Sequence, residues 1–318
     1  MLVIRNLREL REPLGPSSVT IGNFDGVHLG HQALFRSVVE AARESGATPT
    51  AVTFDPHPVR VLAPGKAHPL LTSMEQRAKL IEQLGIARLV VLTFDAELAR
   101  LSPNEFVRSI LVERLGTVSV SVGPNFHFGR NQAGDVELLG KLAQAEGFRL
   151  EVLPILRLRR EPISSSRIRG LVAEGRVPMA GRLLGRPFSV EGPIVHGSGV
   201  GRAQTVPTLN LAPIAEQVPK TGVYVTRTRL GERFHDSVTN VGYKPTFGEH
   251  RLTVESFLLS FSGEIHESEM EVAFLYRLRD EMKFPSPAVL KVQIQRDAGR
   301  SLRFFRLLRQ QSVGGCRD

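Results

Sequence analysis

The sequence predicts an α/β protein with two successive cores: a parallel sheet with helical crossovers, then a small antiparallel β-barrel closed by a C-terminal helix. Three observations point there. Up to about residue 181, short β-branched runs alternate with longer amphipathic stretches. From about Gly185 the pattern changes to short strands punctuated by Gly and Pro. A chain of 318 residues, 42% of them hydrophobic, is also too long for one ordinary core.

In the first half, Ser18 to Ile21 reads as a strand, and Gly30 to Glu44 as a helix with Leu34, Val38, Val39 and Ala42 on its apolar side. With Thr50 to Phe54 as the next strand, these form one βαβ unit. Arg88 to Phe94 and Val118 to Val122 add strands with a helix from Glu105 to Leu115 between them, and a helix from Asp135 to Glu146 leads to a strand from Leu150 to Ile155. A parallel sheet with right-handed crossovers follows. In the second half, strands are expected at Phe188 to Glu191, Gly222 to Thr228, Ser237 to Val241, Leu252 to Phe261 and Glu271 to Leu275. A helix from Ala288 to Leu308 closes the barrel, with Gly299 marking a weak point or break. The boundary falls near Gly181 to Pro187, giving domains 1–181 and 182–318.

The single cysteine, Cys316, makes an intramolecular disulfide impossible, which favours the cytoplasm. Charged residues interrupt the first fourteen positions and no window approaches a membrane span, so a soluble, unprocessed protein is expected, with no membrane partner. The net charge of +9 draws anions. Arginines are spread along the chain without a basic block or an aromatic-basic interleave, so nucleic acid is not expected as a partner. Small-molecule substrates are expected, with the chain a monomer or weak homo-oligomer.

The first chemical signal is Gly22-Asn23-Phe24-Asp25-Gly26-Val27-His28-Leu29-Gly30-His31, after the first strand. Its glycines permit a tight turn, and the helix that follows aims free N–H groups back at that turn, a site suited to a triphosphate. His28 and His31, three apart, share a helix face where imidazolium or N–H donors can stabilise charge on a phosphate undergoing in-line attack. Gly30 between them leaves room for a nucleotide. A zinc site lacks a third ligand, since His57 lies between prolines. The second signal is Ile163-Ser164-Ser165-Ser166-Arg167-Ile168-Arg169, where N-capping serines precede two arginines able to clamp phosphates. No Walker sequence and no complete G-x-G-x-x-G fingerprint occurs.

In the second half, His196-Gly197-Ser198-Gly199-Val200-Gly201-Arg202 is a glycine-rich loop able to present N–H groups to phosphates. In a strand starting after Pro207, Thr208 and Asn210 face one side and Leu209 and Leu211 the other. The Thr208 oxygen suits Mg²⁺ that keeps its other positions for water and nucleotide phosphates. Glu255, a single carboxylate among apolar strand neighbours, fits the base that phosphoryl transfer asks for.

The motifs GNFDGVHLGH, TFDPHP, LSPNEFV, VGPNFHFG and ISSSRIR span nearly all of residues 18–170. They resemble the nucleotidyltransferase superfamily, and specifically the N-terminal half of bacterial bifunctional riboflavin kinase/FAD synthetases. GRPFSVEG, the HGxGxGR loop, PTLNL, TGVY, NVGYKPTFG, VESFLL and RLRDEMKF, over about residues 182–310, resemble the riboflavin kinase module. The resemblance implies a Rossmann-like domain for FMN adenylylation to FAD, then a six-stranded Greek-key barrel for riboflavin phosphorylation, each step using ATP and Mg²⁺. It implies that His28 and His31 stabilise the adenylyl-transfer transition state, and that Gly22, Asn23, Phe24, Asp25, Gly30, Ser164, Arg167 and Arg169 belong to the nucleotide cradle. Asn125 would touch nucleotide or flavin, with Phe54 and Phe128 as candidates to line the flavin slot. By the same likeness Thr208 and Asn210 bind Mg²⁺ and ATP phosphates beside the loop of Gly197, Gly199, Gly201 and Arg202, and Glu255 acts on the ribityl 5′-hydroxyl. His127, Thr205-Val206 and Ser260 depart from common family residues. Two rival readings are a flavin-binding regulator with an impaired kinase barrel, and an RNA-related adenylate-forming enzyme.

Overall fold

The computed structural model describes residues 1–5, 7, 12–195, 208–214, 216–246 and 249–314, with backbone alone at 244–246, 249–251 and 312–314. The chain forms two compact units, Met1–Pro69 with Met74–Ser165, and Leu70–Ser73 with Ser166–Asp318.

The first unit is built on strands β1 (Leu2–Ile4), β2 (Ser17–Ile21), β3 (Thr48–Asp55), β4 (Arg88–Thr93), β5 (Thr117–Val122) and β6 (Arg149–Val152), in the order β1-β4-β3-β2-β5-β6. All the pairings are parallel. Its helices are α1 (Leu29–Ser45), α2 (Pro58–Leu62), α3 (Met74–Glu82), α4 (Ala96–Arg100), α5 (Pro103–Glu105) and α6 (Val136–Glu146), with a π-helical stretch Phe106–Arg114. The strand period of two splits neighbouring residues between faces. Ala51, Leu89 and Val91 join Phe35, Val38 and Ile81 in one core, while Val52, Val90 and Leu92 join Phe106, Leu111 and Leu139 in the other. Strand β2 is buried along its whole length despite its hydroxyls, one of which is satisfied across the sheet by Ser119 to Ser18 at 2.8 Å.

Helix α1 starts on the His28 side chain, which accepts from the His31 N–H, and stops at Gly46 in the left-handed region. The helix expected from Glu105 to Leu115 is present but unusual. A capping box of Ser102 and Glu105 starts it, and it then opens into π-helical turns. Five-residue spacing aligns Phe106 with Leu111, and both reach the core. Strand β1 had no expectation attached to it; it pairs with β4 at the sheet edge. A small hairpin, β7 (Arg157–Leu158) with β8 (Glu161–Pro162), ends this unit.

The second unit opens with α7 (Ser165–Ala173) and α8 (Val177–Leu184), the latter stopped by Gly185 at φ 72°. Strands β9 (Phe188–Val195), β10 (Leu209–Leu211), β11 (Gly222–Leu230), β12 (Arg233–Thr246), β13 (Glu249–Leu258) and β14 (Glu269–Arg279) form a closed antiparallel barrel in the order β10-β13-β12-β11-β14-β9. β11, β12 and β13 pair in sequence and β14 returns beside β11, the Greek-key arrangement. Inside, Tyr224, Val254, Val272 and Phe274 are buried. Outside, Val223, Val225 and Val238 are covered by Phe305 of α9 (Pro287–Gly314). Of the weak point or break expected at Gly299, no break occurs: α9 runs through that residue, which is exposed with open space where a Cβ would stand.

Candidate active sites

In the parallel sheet β2 lies between β3 and β5, so the chain leaves β2 toward one side and β5 toward the other. That reversal opens a crevice at the carboxyl ends of β2 and β5, the usual ligand position of such sheets. The Gly22–His31 segment follows β2, and the Gly123–Gly129 segment follows β5. The long motif of the first half and Asn125, which is exposed, therefore sit at the same end of the sheet.

The turn after β2 is held tightly. Gly22 N–H donates to Val52 O at 3.0 Å, Thr53 hydroxyl to Asn23 O at 3.3 Å, and Val27 N–H to Phe24 O at 3.1 Å. Phe24 at φ 48° and Val27 at φ 44° are non-glycine residues in the left-handed region. The Phe24 ring is buried against Phe35, at 4.7 Å between centroids, and meets His31 edge-on at 5.3 Å. A Cβ on Gly22 would lie 2.9 Å from the Phe24 ring. The strained turn plugs Phe24 under the helix start, and both Phe24 and Asp25 are buried within the unit.

His28 and His31 stack, with centroids 3.6 Å apart and planes 19° apart. His28 Nδ1 accepts from His31 N–H at 3.3 Å, so the neutral ring carries its proton on Nε2, a donor for a ligand. His31 Nδ1 is buried with no hydrogen-bond partner among the described residues. Burial first, then the neighbouring His28 and Arg77, push the His31 pKa well below its ordinary value. His31 is therefore neutral at pH 7, where the sequence had allowed an imidazolium. Gly30 also differs from expectation. A Cβ there would lie 3.1 Å from His28 Cε1, so the space it leaves is filled by the His28 ring.

Beneath the turn lies a residue the sequence reading missed. Arg77 of α3 is 2% exposed, and its Nη2 is 3.8 Å from the Asp25 carboxylate, also 2% exposed. Its pKa is lowered by burial, with Asp25 and Asp55 pulling the other way. A signal existed: Arg77 stands four residues before Ile81 on the buried face of a helix, where a cation asks for a reason. Within the first unit, Ser165 hydroxyl donates to Asp25 O at 2.8 Å. Ser164 is half-buried just before α7, while Arg167 and Arg169 lie within α7 in the second unit. Arg169 donates to Ser166 Oγ at 3.2 Å.

Of the flavin-slot candidates, Phe54 is half-buried near the end of β3, against Phe94 at 5.8 Å. Phe128 is a core residue, stacked on Phe126 at 5.4 Å and filling the space that Gly134 leaves.

In the barrel, register does what sequence spacing could not. Asn210 of β10 stands opposite Glu255 of β13, and Glu255 opposite Asn240 of β12. Thr239 and Ser256, one residue along on each strand, are buried inside the barrel, so Asn240 and Glu255 face outward. Leu211 is buried, and Asn210 and the exposed Thr208 share the outer side. Thr208 and Asn210 offer hard oxygen donors, which fits a Mg²⁺ that keeps phosphates and water as its other ligands. Among the described residues no group of three or more His, Cys, Asp or Glu could hold a metal by itself. Gly197, Gly199, Gly201 and Arg202 lie outside the described residues. An open cavity of about 480 Å³, lined by Arg227, His235, Asp236 and Arg309 among others, lies toward the β11–β12 hairpin, away from the Glu255 row.

Comparison with known proteins bears on both units. A family model described as FAD synthetase matches residues 11–167, and one described as riboflavin kinase matches residues 184–305. The bifunctional riboflavin kinase/FMN adenylyltransferase of Pseudomonas fluorescens is 35% identical over 93% of this chain and 96% of its own length. Its Escherichia coli K12 counterpart is 33% identical over 96% of this chain and 99% of its own. A crystal structure from Streptococcus pneumoniae, described as a macrolide-efflux protein, is 28% identical with a TM-score of 0.85, covering 95% of this chain and 99% of that one. Among the described residues no helix is long and apolar enough to cross a membrane. With two family models in tandem and relatives matched along nearly their whole length, the chain belongs to the family of bifunctional riboflavin kinase/FMN adenylyltransferases.

Proposed function

We propose that this chain carries out two successive reactions, riboflavin plus ATP to FMN plus ADP, and FMN plus ATP to FAD plus pyrophosphate. The observation that carries the reading is the order of the two family models, FAD synthetase then riboflavin kinase, within one chain. Residues 1–181 are assigned the adenylylation and 182–318 the phosphorylation. Both would take place in the cytoplasm, on small molecules and without nucleic acid, in a monomer or weak homo-oligomer.

In the kinase step Glu255 takes the proton of the ribityl 5′-hydroxyl as its oxygen attacks the γ-phosphorus and ADP leaves. Asn210, on the strand beside it, and Thr208, just before that strand, would hold Mg²⁺, which supplies charge neutralisation on the ATP phosphates. Gly197, Gly199, Gly201 and Arg202 are assigned to those phosphates from sequence. In the adenylylation step the FMN phosphate attacks the α-phosphorus and pyrophosphate leaves. His28 and His31 donate hydrogen bonds to oxygens gaining charge, the backbone from Gly22 to Asp25 and the start of α1 face the phosphates, and Ser164, Arg167 and Arg169 take the pyrophosphate. Asn125 and Phe54 would meet the flavin or the base. The neutral state of His31 supports a role as donor rather than fixed charge.

The test is to incubate purified protein with riboflavin, ATP and Mg²⁺ and separate the flavins by chromatography. His28→Ala is expected to stop at FMN, and Glu255→Ala to block FMN formation while still converting supplied FMN. If either substitution abolished both steps in folded protein, the division of labour would be wrong.

A further inference from the structure

The barrel face that carries Glu255 has polar groups the two reactions above leave unused. Asn210, Glu255 and Asn240 stand side by side on three neighbouring strands, β10, β13 and β12. Directly opposed residues in antiparallel pairs are about 5 Å apart, so Asn240 lies one such step from Glu255, on the side away from Asn210. A second carboxylate joins this end of the row. A Cβ built on Gly242, two residues beyond Asn240 on the same face, would lie 2.2 Å from Glu281 Oε1 and 3.2 Å from Asn240 Nδ2. Only a residue without a side chain leaves space there. Gly242 admits the Glu281 carboxylate over β12, beside the Asn240 amide. Asn240 is half-buried and Glu281, in the segment after β14, is exposed, so both are open to a ligand.

The substrate supplies a matching pattern. If Asn210 marks the phosphate side of the reacting hydroxyl, the rest of the ribityl chain runs past Glu255 toward Asn240. With C–C bonds of ~1.5 Å, the three secondary hydroxyls fall between about 3 and about 6 Å from the 5′ oxygen, close to one inter-strand step. Each secondary hydroxyl both donates and accepts. An amide offers both functions, and a carboxylate accepts, so the pair complements a polyol and not a plain alkyl chain.

We propose that Asn240 and Glu281 read the secondary hydroxyls of the ribityl chain and so set the specificity of the phosphorylation for a polyol-bearing flavin. This rests on Glu255 acting at the 5′-hydroxyl. Glu281 touches the substrate in this assignment and does not take its reacting proton; Gly242 serves by giving it room.

The experiment uses the full-length chain and two substrates: riboflavin, and a flavin whose N10 substituent is 5-hydroxypentyl, which keeps the terminal hydroxyl and lacks the other three. Wild type is expected to prefer riboflavin. Asn240→Ala and Glu281→Gln are each expected to lower kcat/KM for riboflavin about tenfold while leaving the hydroxypentyl flavin within about twofold, so the preference collapses. Conversion of supplied FMN to FAD in the same preparation reports correct folding. Equal losses on both substrates overturn the proposal, because a disturbed Glu255 would act on either. So does a wild type that does not discriminate, and a variant that keeps the full preference removes its residue from the assignment. Failure of the underlying reading looks different: riboflavin would not be phosphorylated by wild type, or Glu255→Gln would be fully active.

Discussion

The barrel interior holds a closed ring of hydroxyls, and opening it should cost stability in a pattern set by which bonds the variants share. Thr226 bonds Ser237 at 2.8 Å, Ser237 bonds Thr228 at 2.9 Å, Thr228 bonds Ser256 at 2.7 Å, Ser256 bonds Thr239 at 3.1 Å, and Thr239 returns to Thr226 at 2.7 Å. All of these side chains are buried. Each hydroxyl has one proton, so a ring of five satisfies every donor once. Thr239→Val keeps the shape and removes two bonds, about 2 kcal/mol at about 1 kcal/mol net for each. For a unit of this size that is a fall of about 4–8 °C in its melting temperature. Ser256→Ala should cost about the same. The double variant removes three bonds, not four, because the pair shares one, so it should be less damaging than the sum by about 1 kcal/mol. Thr226→Val with Ser256→Ala shares no bond but strips Thr239 of both its partners, so it should cost at least the sum of the two. Calorimetry on the full-length chain is the assay, with one transition moved and the other unchanged. Additive behaviour in the Thr239/Ser256 pair would refute the bond between them and with it the closure of the ring.

Two further outcomes concern the first unit. Since His31 has a lowered pKa in the folded chain, the unfolded chain takes up its proton first as pH falls. Stability is therefore retained above pH ~6.5 and declines below it toward the lowered folded-state value, by at most about 1.4 kcal/mol per pH unit. Urea unfolding at pH 7.5 and 5.5 should show a larger drop for wild type than for His31→Gln, and equal drops would exclude His31 as the source. Gly30→Ala adds a better helix former, worth about 1 kcal/mol, inside α1. Yet its Cβ would stand 3.1 Å from the His28 ring, so FMN adenylylation should fall about tenfold with stability held or raised. Intact adenylylation in that variant would show that the His28 position is not critical.

The sequence by itself determined the architecture, because that information is periodic and local. The β-branched runs alternating with amphipathic stretches imply the parallel sheet, and the short strands after Gly185 imply the barrel. The His28/His31 spacing and the Thr208/Asn210 alternation are likewise properties of single elements. Where a residue's neighbour lies far along the chain, spacing is silent. Arg77 under Asp25, β1 beside β4, and the π-helical turns at Phe106 each follow from packing against distant segments. Asn210, Asn240 and Glu255 become one row only when the barrel closes, since closure fixes the register of every strand at once and a slip of one residue would turn Glu255 inward. The hydroxyl ring has the same origin: Thr and Ser in a strand read as ordinary polar positions until a closed lumen removes water from all of them and leaves only one another as partners.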